Sequence, residues 1–158
     1  MLAKFNKKSF LKLRLFSSIS LIILLFFIFI FNPVYADSNT IQDGGTTTAQ
    51  QNLDGNGEIL TIKSNSTLAT GATTKAANVT GDSVSVTVES GSTISANTVA
   101  VFGDTTSDLT VTNSGTITAS GTTAIDAKAT TDATITNNSG GTISSNRNTI
   151  RISKTGCT

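Results

Sequence analysis

The 158-residue sequence contains no histidine and no tryptophan, and only one cysteine, one proline and one tyrosine. Without histidine, Ser-His-Asp and Cys-His nucleophilic machinery is excluded, and so are imidazole metal sites. A lone cysteine cannot build a zinc site either. Cys157 has no second cysteine to pair with inside the chain, so it reads as incidental or as a thiol for intermolecular pairing. Neither a metal nor any other cofactor is expected.

Aromatic residues are scarce in a particular way. Seven of the eight phenylalanines, the tyrosine and the proline all precede residue 37, which leaves Phe102 as the only aromatic beyond it. The same opening segment carries Lys4, Lys7, Lys8, Lys12 and Arg14 with no acidic residue. An apolar stretch follows from Leu15 to Phe31, then Asn32-Pro33 and Val34-Tyr35-Ala36. A basic start, an apolar middle and small residues at a cut describe a secretory signal helix over residues 1–36, cleaved between Ala36 and Asp37. An uncleaved membrane anchor is the alternative, because 17 residues nearly reach the length that spans a bilayer. Either reading exports everything from residue 37 onward, to the periplasm, the cell surface or the medium.

Beyond the signal, positive charge is in short supply. Six basic residues (Lys63, Lys75, Lys128, Arg147, Arg151, Lys154) face all ten acidic ones, a net charge of −4. Nucleic acid and anionic lipid reward clustered Lys and Arg, so neither is expected as a partner. Large side chains are also few, and Thr, Ser, Asn, Gly and Ala dominate. Such a composition suits either a disordered segment or a solenoid with a thin core of stacked small residues.

Periodicity decides for the solenoid. Leu60-Thr61-Ile62, Val86-Thr87-Val88, Leu109-Thr110-Val111 and Ala133-Thr134-Ile135 each precede a polar turn and then Thr-Leu68, Thr-Ile94, Thr-Ile117 and Thr-Ile143. With Ile62, Val88, Val111 and Ile135 as anchors the spacings are 26, 23 and 24, and the last copy carries two extra residues in its turn. Apolar residues two apart mark strands with one buried face. Asn, Ser and Gly then turn the chain. A third apolar patch follows at Val99 and Val101, at Ile125, and at Ile150 and Ile152; in the first copy it is blurred over Ala76 to Val79.

Three short strands and three turns in about 23–26 residues make one coil of a parallel β-helix. The expected fold is all-β, with about four coils over residues 59–158 after a loose lead or irregular first coil over residues 37–58. Stacking would set Ile62, Val88, Val111 and Ile135 in one interior ladder and Leu68, Ile94, Ile117 and Ile143 in another.

Acidic residues offer little chemistry. Asp43-Gly44-Gly45 and Asp54-Gly55-Asn56-Gly57-Glu58 invite a calcium reading, but Ile59 and Asn65 stand where a calcium loop needs Gly and Glu. Both read as turns. Asp108 and Asp132 hold equivalent coil positions, and Asp104 and Asp126 lie near the third patch. A carboxylate pair of the glycosidase kind is geometrically allowed there. The missing aromatic and basic lining of a sugar cleft argues for surface turn aspartates, and the chain is not expected to be an enzyme.

At Asn113-Ser114-Gly115-Thr116-Ile117, Asn137-Asn138-Ser139-Gly140-Gly141-Thr142-Ile143 and Gly121-Thr122-Thr123-Ala124-Ile125, the chain resembles bacterial autotransporter passenger domains, over about residues 58–152. The resemblance implies a right-handed parallel β-helix, export through the secretory translocon and display at the outer membrane by type V secretion. It also implies a C-terminal β-barrel, which these residues do not resemble, so a truncated chain or a separate barrel is expected. The function expected is a structural or adhesive stalk, touching a host-cell surface or carbohydrate. A β-helix polysaccharide-active enzyme fragment and a non-functional remnant are the alternatives.

Overall fold

The computed structural model describes residues 38–71, 74–104, 106–128 and 130–152. The signal segment 1–36, its Ala36–Asp37 cleavage point and Cys157 lie outside the described residues.

Short stretches of alternating apolar and hydroxyl residues form five rungs of three strands. The first rung holds β1 (Ser38–Ile41), β2 (Thr46–Thr47) and β3 (Gln51–Leu53). The second holds β4 (Ile59–Ile62), β5 (Thr67–Ala69) and β6 (Ala77–Val79), and the third β7 (Ser85–Val88), β8 (Thr93–Ala96) and β9 (Val99–Gly103). The fourth holds β10 (Thr110–Asn113), β11 (Thr116–Ala119) and β12 (Thr123–Ala127), and the fifth β13 (Thr134–Asn137), β14 (Thr142–Ser145) and β15 (Asn148–Ile152). Corresponding strands pair in parallel into three five-stranded sheets: sheet A from β1 to β13, sheet B from β2 to β14 and sheet C from β3 to β15. The protein is a parallel β-solenoid, and the described residues contain no helix.

Alternation puts one side chain in two inside. Leu60, Val86, Val111 and Ile135 form one ladder of sheet A. Leu68, Ile94, Ile117 and Ile143 form the ladder of sheet B. Ala77, Val101, Ile125 and Ile150 form that of sheet C. Leu60, Ile62, Leu68, Val86, Val88, Ile94, Leu109, Val111, Ile117 and Ile125 are fully buried. Ile135 and Ile143 are only half-buried in the fifth rung, while Ile150 and Ile152 stay about 40% exposed. Each large aliphatic side chain buried in the middle rungs stabilises by about 1.5–3 kcal/mol.

Two features differ from the sequence expectation. The ladder Ile62–Val88–Val111–Ile135 does not form: Val88 pairs with Asn113, and Asn113 with Asn137, while Val111 pairs with Val86. The two-residue mismatch is a loss in the fourth rung. Its turn from Asn113 to Thr116 is two residues shorter than the turns 41–46, 62–67, 88–93 and 137–142. The last copy therefore has the usual length and no insertion. A slip of two residues keeps every side chain on its own face, so alternation could not detect it.

The second difference is the lead. Residues 38–53 of the supposed irregular stretch make a complete first rung, paired with β4, β5 and β6. Its pattern is masked because polar Asn39, Thr47 and Gln51 stand at positions that hold Leu60, Leu68 and Ala77 one rung later. Only Ile41 and Leu53 supply apolar bulk there.

Left-handed backbone recurs at two corners. Gly57 (φ 73°), Ser83 (φ 56°), Asp108 (φ 55°) and Asp132 (φ 55°) precede the sheet A strands. Gly44 (φ 70°), Asn65 (φ 58°), Gly91 (φ 74°) and Gly140 (φ 85°) turn the chain from sheet A to sheet B. Gly, Asn, Asp and Ser tolerate this region better than β-branched residues do, which is why the turns carry them.

Candidate functional site

Three outward faces and the corners between them are available for contact. Sheets A and B present hydroxyls. Thr40, Thr61, Thr87, Thr112 and Thr136 stand in register across sheet A. Thr46, Thr67, Thr93, Thr116 and Thr142 do the same across sheet B. Rows of β-branched Thr fit a pleated surface and leave the hydroxyl to water. Among the described residues no strand of either sheet carries a charged side chain.

Charge collects on sheet C and at the corners. Across sheet C the outward line is Asn52, Asn78, Phe102, Asp126 and Arg151. The Lys75 ammonium lies 3.3 Å from the centre of the Phe102 ring and donates to Asn78 Oδ1 at 3.0 Å. Cation–π attraction and an amide acceptor together hold that lysine against the sheet. Asp126 is buried and meets Arg151 Nη1 at 3.4 Å. It also accepts from the backbone N–H of Lys128 at 3.3 Å.

At the corner between sheets A and B, Glu89 joins the second and third rungs. Its carboxylate meets Lys63 Nζ at 2.7 Å and accepts from the Ser64 backbone N–H at 3.0 Å and hydroxyl at 3.1 Å. The hydrogen bond from Lys63 is the main cause holding the Glu89 carboxyl below its ordinary value of 4.5. One rung further the short turn uses an amide instead. Asn113, fully buried, accepts from Gly115 N–H at 3.2 Å, and its Nδ2 lies 2.8 Å from Asn137 Oδ1 and 3.1 Å from Thr142 O. The side chain thus supplies contacts that two more backbone residues make elsewhere.

Of the aspartates weighed for catalysis, Asp126 lies on β12, while Asp108 and Asp132 lie at turns. Asp108 and Asp132 occupy the left-handed corner, and Ser107 bridges to Thr131 just before them. Asp82 Oδ1 accepts from Ser107 N–H at 2.9 Å one step away. No group of three or more acidic, histidine or cysteine side chains among the described residues is placed to hold a metal ion. The Asp43 and Asp54 segments likewise form corners, around Gly44 and Gly57.

Two features carried no sequence signal. Glu58 immediately precedes the Ile59–Ser85 pair, so it stands one rung below Val84 at an interior position. It is 6% exposed, and its Oε2 has no hydrogen-bond partner. The other is a groove between sheets B and C. The connection from β5 to β6 spans seven residues, against two or three at the same corner in the other rungs. Beside it an open depression of about 340 Å³ runs over Thr70, Ser95, Ala96, Asn97, Thr118 and Ser120.

Comparison with protein-family models, with curated proteins and with solved structures returned no match.

Proposed function

We propose that this chain is an exported β-solenoid segment of the autotransporter-passenger type, serving as a structural and adhesive stalk at the cell surface. The observation that carries the reading is the unbroken stacking of five rungs into three parallel sheets. Such an array presents long faces for contact without needing an enclosed pocket. Its two charge-free hydroxyl faces and its charged third face give it distinct sides. The basic and apolar opening of the sequence supports delivery by the secretory translocon, with cleavage after Ala36. An outer-membrane β-barrel, on a separate chain or on a continuation of this one, would complete the route to the surface.

Expression of the full 158-residue sequence in a Gram-negative host tests the export half of this reading. Fractionation and N-terminal sequencing are expected to give a periplasmic product beginning at Asp37. An uncut chain retained in the cytoplasm would sink it. Beads coated with the purified protein, assayed on epithelial cells and on polysaccharide-coated plates, test the adhesive half; retention no better than on albumin-coated beads refutes it.

A further inference from the structure

We infer that the outward face of sheet A binds crystalline water, the prism face of an ice lattice; this rests on the adhesive reading above and names what is adhered to. Two columns of side chains run up that face. One is Thr40, Thr61, Thr87, Thr112 and Thr136, and the other is Ser38, Ile59, Ser85, Thr110 and Thr134. Every position but one therefore carries a hydroxyl, and one-to-one pairing runs through all five strands. The exception, Ile59, is 44% exposed and β-branched like the threonines around it.

The spacing selects the ligand. Neighbouring strands stand about 4.8 Å apart and alternate residues along a strand about 6.6 Å apart, so the hydroxyls mark out a rectangular net. Oxygens on the prism face of hexagonal ice form a rectangular net whose repeats agree with both lengths to within about 10%. Threonine is stiff at χ1, so the protein's net is in place before any ligand arrives. Each hydroxyl can donate and accept, as a lattice water requires. Single contacts of this kind are weak, but a ligand with the same period engages many of them at once.

Two further observations favour ice over other ligands. Among the described residues none of these hydroxyls makes a hydrogen bond to another group of the protein, so the whole net is open to lattice water. On sheet B, by contrast, Ser144 Oγ donates to Thr118 Oγ1 at 3.1 Å, which draws that column out of even spacing. The sheet A strands also carry no charged side chain: Lys63 and Glu89 pair with each other at one flanking corner, and Asp108 and Asp132 lie at the other. Nor does the face offer an aromatic ring for a sugar to stack on, because Phe102 belongs to sheet C.

The test uses the full 158-residue chain, labelled with a fluorophore at its one cysteine, Cys157, and held in mild detergent. Ice grown slowly from that solution is expected to take up the chain in preference to labelled albumin in the same detergent. On a single-crystal hemisphere the fluorescence should lie on the prism planes. Thr112→Lys, in the middle of the face, should cut uptake to the albumin level. Thr93→Lys, outward on sheet B, should leave it at the native level and so separates loss of the face from loss of the fold. Uptake no greater than albumin's, uptake that survives Thr112→Lys, or equal loss in both variants with unchanged melting temperatures would overturn the assignment. So would retention on microcrystalline cellulose, abolished by Thr112→Lys, in a chain that ice rejects. Bead adhesion to cells or polysaccharide without ice uptake removes the ice face and leaves the stalk; ice uptake by a chain whose beads adhere to neither removes the cell-adhesive reading and leaves the ice face.

Discussion

Asn113 pairs in register with Val88, so an amide takes an interior position that the rung before it fills with an aliphatic side chain. The exchange coincides with the shortened turn, and the amide is the device that makes the shortening workable. Replacing Asn113 with Val would restore the apolar ladder but leave the Gly115 N–H without its acceptor. Asn113→Val is expected to cost about 1–3 kcal/mol, read as a lower urea midpoint. Asn137→Val, in the exposed last rung, should cost clearly less. Equal losses would mean that Asn113 does not organise the turn.

Gly115 lies where the shortened turn brings two rungs close. A Cβ there would stand 2.4 Å from Ser92 O and 2.5 Å from Glu89 O, both backbone atoms that cannot step aside alone. Gly115→Ala should destabilise by about 2–3 kcal/mol or prevent folding. Gly71→Ala, where an added Cβ meets nothing within 4 Å, is the matched control and should be near neutral. Circular dichroism melts of the two variants decide the matter.

Glu89 gives the fold a pH dependence with a definite sign. Its carboxyl is held below 4.5 in the folded chain, first by the hydrogen bond from Lys63. A depressed folded-state value means that the contribution is complete above the unfolded value and is lost as pH falls through the folded one. The melting-temperature gap between the native protein and Glu89→Gln should be present at neutral pH and close in acid below 4.5. Both partners are partly exposed, so added salt should narrow it as well. A gap that stays constant from neutral to strongly acidic pH would contradict the assignment.

Glu58 is an interior residue with an unpartnered oxygen, in line with Val84 and then Leu109. Exchange for Leu should stabilise the protein by about 1–3 kcal/mol, because burial of an unpaired polar group costs that much. The urea midpoint should rise. A fall would show that the carboxyl has a partner in solution that the fold requires.

These positions explain what could be read from residues alone. The sheet B ladder was legible because Leu68, Ile94, Ile117 and Ile143 each follow a Thr and are large and apolar. The sheet A ladder was not. Val84, Val86 and Val88 alternate three times in a row, so Leu109-Thr110-Val111 matches either end of that run. Hydrophobicity cannot choose between the two, since both keep the same residues inside. The correct choice rests on Asn113 being an interior residue, and its polarity argues against that until its hydrogen bonds are visible. The first rung stayed hidden for the same reason, with Asn39 and Gln51 in apolar places. The groove depends on one long corner meeting two short ones, a relation between rungs that no local pattern encodes.

The unequal corners carry a practical consequence. The fourth rung loses two residues at one corner and the second gains several at another, yet all three sheets continue through both. Corner length is therefore uncoupled from rung pairing, and these loops are natural ports for grafting foreign peptides. An epitope tag spliced after Gly71 should be tolerated and displayed, whereas the same tag placed inside β8 would cut the stack in two.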